Sequence, residues 1–224
     1  MKPIVVEMAK GMLEFKRIWL WYLAILVASV EVFLFSQGIP IVNGILAASR
    51  NTPWGVFTSI FVHQSWGHLV INMTILLLFV MFFTSMNSTL SISNKRKYQK
   101  FFMIAAFIFA VVSNILWVAL NTGSTVGASG LAYGVIGIVT SSSILNGLQI
   151  LSKKQLNKQS TQTVSVILMN IILGSTLVFQ VFQNPQVFLN INQGVNIIVH
   201  GVSFVLGLSF ILPLYLLLDV SIFE

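Results

Sequence analysis

Three histidines, one asparagine and one serine are the residues of this chain whose types and positions could do chemistry. His63, His68 and His200 are its only histidines, and each falls in or beside a long apolar segment. Asn72 follows His68 by four residues, a spacing that puts both side chains on one helix face. Ser129 stands between two small residues. Ionisable and strongly polar groups are costly inside a bilayer, so each of these residues is a functional candidate.

These residue types are the ones that nucleophilic catalysis requires. A serine hydroxyl is a poor nucleophile until a neighbouring imidazole accepts its proton, which makes Ser129 and His200 the candidate nucleophile and general base. The attacked carbonyl oxygen becomes negative and needs donors already in place. His68 and Asn72 offer side-chain N–H donors, and the Ser129 backbone N–H would be unpaired in the first turn of its helix. No aspartate lies at this depth, which favours a dyad over a triad.

The same residues have an ordinary structural interpretation. A single buried histidine is more often a hydrogen-bonded structural residue than a catalytic one. Gly127, Gly130, Gly134 and Gly137 recur at helical spacing, and small residues let transmembrane helices approach closely. Taken alone, this segment would be a helix-packing seam. With a histidine on another helix at the same depth, nucleophilic catalysis becomes the better explanation.

The composition indicates that these elements lie in a membrane. Of 224 residues, 56% are apolar and 8% are charged, whereas an average soluble domain has roughly 25% charged residues. So little charge cannot cover a soluble globule, and disordered chains are poor in apolar residues. A multi-spanning membrane protein remains. The absence of cysteine excludes disulfides, a thiolate nucleophile and a thiolate metal site, and we expect neither a metal nor a cofactor.

The charges divide the chain into segments of membrane-spanning length. Charge-free stretches cover 51–94, 101–152 and 159–218. Since one span needs about 20 apolar residues, the two longer stretches must each hold two helices. Polar segments at 121–125 and 183–194 interrupt them. The predicted spans are roughly 18–36, 67–86, 101–120, 126–146, 163–182 and 195–218.

Basic residues set the predicted orientation. With the N-terminus inside, eleven lysines and arginines lie on the cytoplasmic side and Arg50 alone lies outside, as the positive-inside rule requires. The net charge of +7 is therefore a topology signal, and we expect no binding to nucleic acid. The apolar run after Arg17 continues for about 18 residues, which favours a retained span over a cleaved signal peptide. The uncharged segment 39–49 is interpreted as a loop against the outer leaflet.

This orientation places polar residues of three helices at one depth. At about 1.5 Å per helical residue, His68, Asn72, Ser129 and His200 all lie within roughly 10 Å of the outer surface. The topology rests on lysines and arginines alone, so the agreement in depth is an independent observation. It predicts a single site that water can reach from outside.

The motifs that hold these residues resemble the rhomboid family of intramembrane serine proteases. The resemblance covers most of the chain from Pro53 to Gly207. A Gly-x-Ser-Gly tetrapeptide alone is weakly diagnostic, but several motifs in the family's order are specific. These motifs are Pro53-Trp54, His63-Gln-Ser-Trp-Gly-His68-Leu-Val-Ile-Asn72, Gly127-Ala-Ser129-Gly130 followed by Tyr133 and Gly137, and His200 followed by Gly207.

The resemblance implies a six-helix bundle in which the fourth helix carries Ser129 as the nucleophile and His200 is the general base. It implies an oxyanion hole formed by His68, Asn72 and the Ser129 backbone N–H. Inactive relatives typically lack the serine, the histidine or both, so retention of the two favours activity. The implied supporting residues are Gly127, Gly130, Tyr133 and His63. Of these, Tyr133 is expected to pack against the catalytic histidine, and His63 is expected to be a structural histidine.

Two positions depart from the family pattern. The Trp-Arg pair common in the first loop is Trp54-Gly55 here, and the usual glycine three residues after the histidine is Ser203. Neither change removes a catalytic group. Glu31 is the one acid inside a predicted span, and pairing with Arg50 or snorkelling to the outer interface is favoured over a role in the site. Asn114 is expected to make interhelical hydrogen bonds.

The predicted fold is an all-α, polytopic six-helix membrane bundle with cytoplasmic N- and C-termini. It comprises a cytoplasmic segment at 1–17, the membrane domain at 18–218 and a tail at 219–224. Six spans without an added helix or targeting peptide favour a prokaryotic plasma membrane. The expected partners are the lipid bilayer and transmembrane protein substrates, and the sequence carries no signal for an oligomeric state.

The leading functional hypothesis is an endopeptidase that cleaves transmembrane segments through a Ser129–His200 dyad. The alternative is a catalytically inactive rhomboid-like protein that binds membrane-protein clients. A small transporter is a third possibility, but it would need polar residues along the whole depth of the membrane. The ionisable residues here cluster in the outer third, which disfavours transport.

Overall fold

The computed structural model describes residues 13–87, 92–153, 164, 168, 172 and 197–210. These residues form helices joined by short loops, and they contain no strand beyond the isolated bridges Ala48–Thr125 and Ser49–Thr52. The helices are α1 (Lys16–Gly38), α2 (Ile41–Leu46), α3 (Gly55–Thr58), a 3₁₀ turn (Ser59–Phe61), α4 (Trp66–Met86), α5 (Ile92–Leu120), α6 (Ser129–Lys153) and α7 (Ile197–Ser209).

Three helices are long and apolar enough to cross a membrane, over Lys16–Gly38, Trp66–Met86 and Asn94–Leu120. They coincide with the first three predicted spans. Shorter apolar helices cover Ser129–Leu145 and Ile198–Ser209, where the fourth and sixth spans are predicted. The all-α class is therefore confirmed for the described part of the chain.

The predicted fifth span, 163–182, falls outside the described residues except at positions 164, 168 and 172, which are helical. The predicted terminal segments, 1–17 and 219–224, lie largely or wholly outside them as well. The count of six spans and the cytoplasmic location of both termini stay predictions.

Several element boundaries differ from the predicted ones. α5 begins at Ile92 rather than near 101, because its basic residues are good helix formers and extend the helix beyond the apolar span. α6 begins at Ser129 rather than at 126, because Gly127 has a φ of 113° that no helix accommodates. The predicted loop at 39–49 contains the six-residue helix α2.

α1 buries one face against the rest of the bundle. Its buried residues recur every three or four positions and are Ile18, Tyr22, Ile25, Ser29, Phe33 and Ser36. The opposite face exposes Leu20, Leu23, Val27 and Leu34. A helix that is apolar on all sides, with a row of apolar side chains left exposed, is suited to a lipid environment. Phe15 contacts Phe83 at one end of the helix and Phe33 contacts Trp66 at the other, so α1 and α4 are antiparallel.

α6 is the central helix, with α4, α5 and α7 packed around it. Its closest neighbour is α7, because glycines on both helices bring the backbones together. A Cβ added to Gly137 would lie 2.3 Å from the Phe204 carbonyl oxygen, and one added to Gly207 would lie 2.3 Å from the Gly134 carbonyl oxygen. The predicted small-residue seam is therefore present, and it lies between the helices that carry Ser129 and His200.

Gly137→Ala is predicted to destabilise the protein. A glycine-to-alanine change inside an unobstructed helix stabilises by roughly 0.5–1 kcal/mol, whereas overpacking a tight contact costs about 1–3 kcal/mol. Thermal unfolding in detergent should therefore show a lower Tm. Gly44→Ala in α2, where a Cβ would meet no atom within 4 Å, is the matched control and should not lower it. Equal Tm values for the two variants would contradict the close approach of α6 and α7.

Candidate active site

The turn that leads into α6 is fixed from both sides. Thr125 exchanges backbone hydrogen bonds with Ala48, at N···O distances of 2.9 and 3.0 Å. Two residues later the Gly127 N–H donates to the Ser59 carbonyl at 2.8 Å. The positive φ at position 127 favours glycine. The hydrogen bonds of Ala48 and Ser59 hold the segment between α1 and α4 against the residues before Ser129.

His63 provides a third anchor for this turn. Its side chain is fully buried, with Nδ1 3.3 Å from the Phe61 carbonyl and Nε2 3.4 Å from the Ala128 N–H. The Ala128 N–H requires an acceptor, so the neutral tautomer with the proton on Nδ1 satisfies both contacts. Burial, with a smaller contribution from His68, lowers the pKa of His63 to about 4. The structure therefore supports the predicted structural role of this histidine.

His68 and Asn72 face the same turn from α4. The Ser65 side chain accepts the His68 N–H at 3.2 Å and so caps the start of the helix. A Cβ on Gly127 would lie 2.7 Å from His68 Cε1, 2.8 Å from His68 Nε2 and 3.5 Å from Asn72 Nδ2. Only a glycine therefore lets both side chains approach the backbone just before Ser129.

Asn72 has a buried donor without a partner. Its side chain is 5% exposed, and Nδ2 has no hydrogen-bond acceptor among the described residues. Leaving a buried polar group unpaired costs about 1–3 kcal/mol. An arrangement of this kind is expected where a ligand supplies the missing acceptor.

Ser129 is the first residue of α6 and is 8% exposed. In the described part of the chain its backbone N–H has no hydrogen-bond acceptor, as expected for the first turn of a helix. Ser129 thus offers a hydroxyl and a free N–H at the start of α6, two residues after the Gly127 backbone that His68 and Asn72 approach.

His200 on α7 stacks on Tyr133, one helical turn beyond Ser129. The ring centroids are 4.3 Å apart and the planes differ by 10°. His200 Nδ1 is buried and has no hydrogen-bond partner among the described residues. The imidazole also lies close enough to His68 for electrostatic interaction between them. The two rings are therefore in contact, and the role of Tyr133 in the site stays a prediction.

Gly130 and Ser203 set how α7 approaches the start of α6. A Cβ on Gly130 would lie 2.8 Å from Val199 Cγ1, 3.3 Å from Ser113 Oγ and 3.4 Å from Ser203 Oγ. Ser203 donates to the Phe109 carbonyl at 3.2 Å, and its Oγ lies 2.8 Å from Ser113 Oγ. The serine that replaces the expected glycine therefore ties α7 to α5.

The predicted site residues converge at one end of the bundle. No hydrogen bond joins Ser129 and His200 directly in the described residues, and catalytic hydrogen bonds of free enzymes are often long until substrate binds.

The sequence did not indicate Ser59, because its carbonyl rather than its side chain contacts Gly127. Asn114, which holds that segment by donating to the Val56 carbonyl at 3.0 Å and to Ser59 Oγ at 3.1 Å, was expected only to join helices.

Of the two arrangements expected for Glu31, pairing with Arg50 or snorkelling to the outer interface, the described residues do not show the pair. Arg50 instead donates to the Val118 and Ala119 carbonyls at 3.3 and 3.1 Å. A guanidinium is favoured there by the unpaired carbonyls at the C-terminal end of α5. Glu31 is exposed on α1.

Comparison with protein families gives a match that covers most of the chain. The sequence model described as Rhomboid domain matches residues 50–216, a range that includes all the predicted site residues. No curated protein matches the chain.

Protonation of His63 is predicted to make the free energy of unfolding depend on pH. Its pKa is about 4 in the folded protein, below the ordinary value of 6.5, so the unfolded chain binds more protons between these values and stability falls as pH drops through this window. The shift corresponds to a loss of up to about 3 kcal/mol. Chemical unfolding from pH 7 to pH 4 should show a smaller loss for His63→Gln than for the wild type. Identical pH profiles would contradict a buried, neutral His63.

Proposed function

Because the chain belongs to the rhomboid family, we propose that it is an intramembrane serine endopeptidase that cleaves transmembrane segments of other membrane proteins. Ser129 is the nucleophile and His200 the general base. His68, Asn72 and the Ser129 backbone N–H form the oxyanion hole. Tyr133, Gly127, Gly130 and His63 position these groups. The family acts on transmembrane substrates within the membrane, which supports the substrate class.

One observation carries the proposal: the His68 and Asn72 side chains meet the backbone just before Ser129, whose own N–H begins α6. Gly127 lacks a Cβ where His68 and Asn72 approach the backbone. The Asn72 Nδ2 donor is buried without a partner in the described residues. Donors that are already oriented toward a developing negative charge stabilise a transition state without reorganisation. A purely structural site would be expected to satisfy these donors internally.

The reaction follows from these roles. His200 accepts the Ser129 Oγ proton as Oγ attacks the substrate carbonyl, and the oxyanion that forms accepts hydrogen bonds from the three N–H donors. The protonated imidazole then gives its proton to the leaving amine, which yields an acyl-enzyme. Water attacks the ester with His200 again acting as base, and Ser129 is regenerated. Tyr133 holds the His200 ring by stacking, and the described residues place no carboxylate against it, which is consistent with a dyad.

We further propose that the site opens to the extracytoplasmic side of the plasma membrane and that residues 18–218 form the membrane domain. The eleven basic residues assigned to the opposite side support this orientation. Water would reach the site from outside without crossing the bilayer.

An inactive rhomboid-like protein that binds membrane clients is the second candidate. The unfilled donors around Ser129 disfavour it, because client binding alone does not require them. Stable capture of an intact single-span substrate, with no cleavage by the wild type, would support this alternative and contradict the proposed activity.

Ser129→Ala and His200→Ala are each predicted to abolish cleavage of a single-span model substrate by the purified protein in detergent. Each change removes a group on which the covalent step depends. Ser142→Ala is the matched control, since Ser142 Oγ bonds only the Ile138 carbonyl of the same helix at 2.9 Å, and it should keep near wild-type activity. Full cleavage by Ser129→Ala would exclude this residue as the nucleophile.

Asn72→Ala is predicted to slow cleavage without stopping it. Loss of one oxyanion-hole donor typically lowers kcat by about 10²–10³-fold, and the two remaining donors keep measurable activity. KM should change little, because the bond to the oxyanion strengthens only in the transition state. Asn121→Ala serves as the control, since its side-chain amide donates to the Trp117 carbonyl at the end of α5, at 3.3 Å. An unchanged kcat for Asn72→Ala would remove this residue from the oxyanion hole.

A further inference from the structure

A second polar region lies at the end of the bundle opposite to Ser129. A cavity of about 400 Å³ opens there between the beginnings of α1 and α5. The 21 residues of α4 separate the two ends by roughly 30 Å, so this cavity is distinct from the candidate active site. It is lined by Leu13, Glu14, Lys16, Arg17, Ile92, Lys95, Arg96 and Gln99.

Buried polar contacts give this cavity fixed walls. Gln99 is 2% exposed; its Oε1 accepts the Arg17 backbone N–H at 3.2 Å and its Nε2 donates to the Glu14 carbonyl at 2.8 Å. Lys95, 5% exposed, forms an ion pair with the Glu14 carboxylate. These contacts attach the start of α1 to α5 and leave the remaining cationic side chains free to face the cavity.

The cavity carries an excess of positive charge. Glu14 is the only acid among the described residues that line it, and it is paired with Lys95. The side chains of Lys16, Arg17 and Arg96 are exposed and form no ion pair with the described residues. Three uncompensated cations from two helices therefore line one concave space. Guanidinium groups match the geometry of phosphate oxygens, with which they form paired, charge-assisted hydrogen bonds.

The rim of the cavity is apolar. Leu13 and Ile92 are 73% and 63% exposed, beside helices long enough to span a membrane. A soluble anion would gain nothing from these side chains, whereas the glycerol backbone and first methylenes of a lipid would cover them. We propose that this cavity binds the phosphate headgroup of an anionic phospholipid. Basic pockets between transmembrane helices bind such headgroups, and the predicted cytoplasmic position is compatible with this ligand.

The test compares binding to two double variants of equal charge change. Arg17→Gln/Arg96→Gln removes two guanidinium groups that line the cavity. Lys97→Gln/Lys100→Gln removes two exposed cations of α5 that do not line the cavity. All four side chains are exposed, and Arg17 contributes only its backbone N–H to the Gln99 contact, so both variants should fold. Short-chain phosphatidylglycerol, phosphatidylcholine and glycerol 1-phosphate are titrated into protein in nonionic detergent, with the shift in Tm as the readout.

Phosphatidylglycerol should raise the Tm of the wild type at concentrations where phosphatidylcholine and glycerol 1-phosphate do not. Each basic residue near an anionic surface contributes about a fivefold factor, so the cavity variant, which lacks two, should bind roughly 25-fold more weakly. The control variant should change by less than about threefold. An equal loss of phosphatidylglycerol binding in both double variants would overturn the proposal, because it would show that the lipid is attracted by the overall positive charge and not by the cavity. An equal response to glycerol 1-phosphate would overturn the lipid assignment, and the single variant Arg96→Gln decides the matter if the double variant does not fold.

Discussion

The arrangement of the candidate site depends on the absence of one carbon atom, the Cβ of Gly127. The residue has a φ of 113°, which turns the chain into α6, and the space that a Cβ would fill holds the His68 imidazole and the Asn72 amide. Any other residue would strain the backbone and displace both side chains. Because the turn ends at Ala128, Ser129 becomes the first residue of the helix, and its N–H is left without an intrahelical partner.

The contacts that hold this turn come from segments far apart in the sequence. Ala48, Ser59 and His63 anchor the residues from Thr125 to Ala128, and Asn114 fixes the segment that includes Ser59. On the other side, glycines of α6 and α7 allow backbone contact, and Ser203 ties α7 to α5. The relative position of Ser129 and His200 is therefore set by helix packing and buried hydrogen bonds, which suits a site that must keep its geometry in a fluid bilayer.

Much of this could be predicted from the sequence, because a membrane imposes a simple pattern. An apolar run predicted the helix at Lys16–Gly38, an uncharged stretch predicted the helix at Trp66–Met86, and the rarity of polar groups made Ser129, His200, His68 and Asn72 the candidate site residues. Helix ends were less predictable: Lys95 and Arg96 continue α5 although they are charged, and the start of α6 depends on the φ of Gly127. The Glu31–Arg50 pair, one of two arrangements expected for Glu31, does not form because Arg50 contacts backbone carbonyls. Contacts made by backbone carbonyls, such as that of Ser59, cannot be predicted from residue types, because every residue has the same carbonyl.

The central claim is that Ser129 is an activated nucleophile. Its most direct test is reaction of the purified protein with a serine-reactive fluorophosphonate, followed by peptide mass spectrometry to locate the adduct. Activation by His200 predicts one adduct, on Ser129, that is lost in His200→Ala. Failure of Ser129 to react, or labelling that is unchanged in His200→Ala, would contradict the claim.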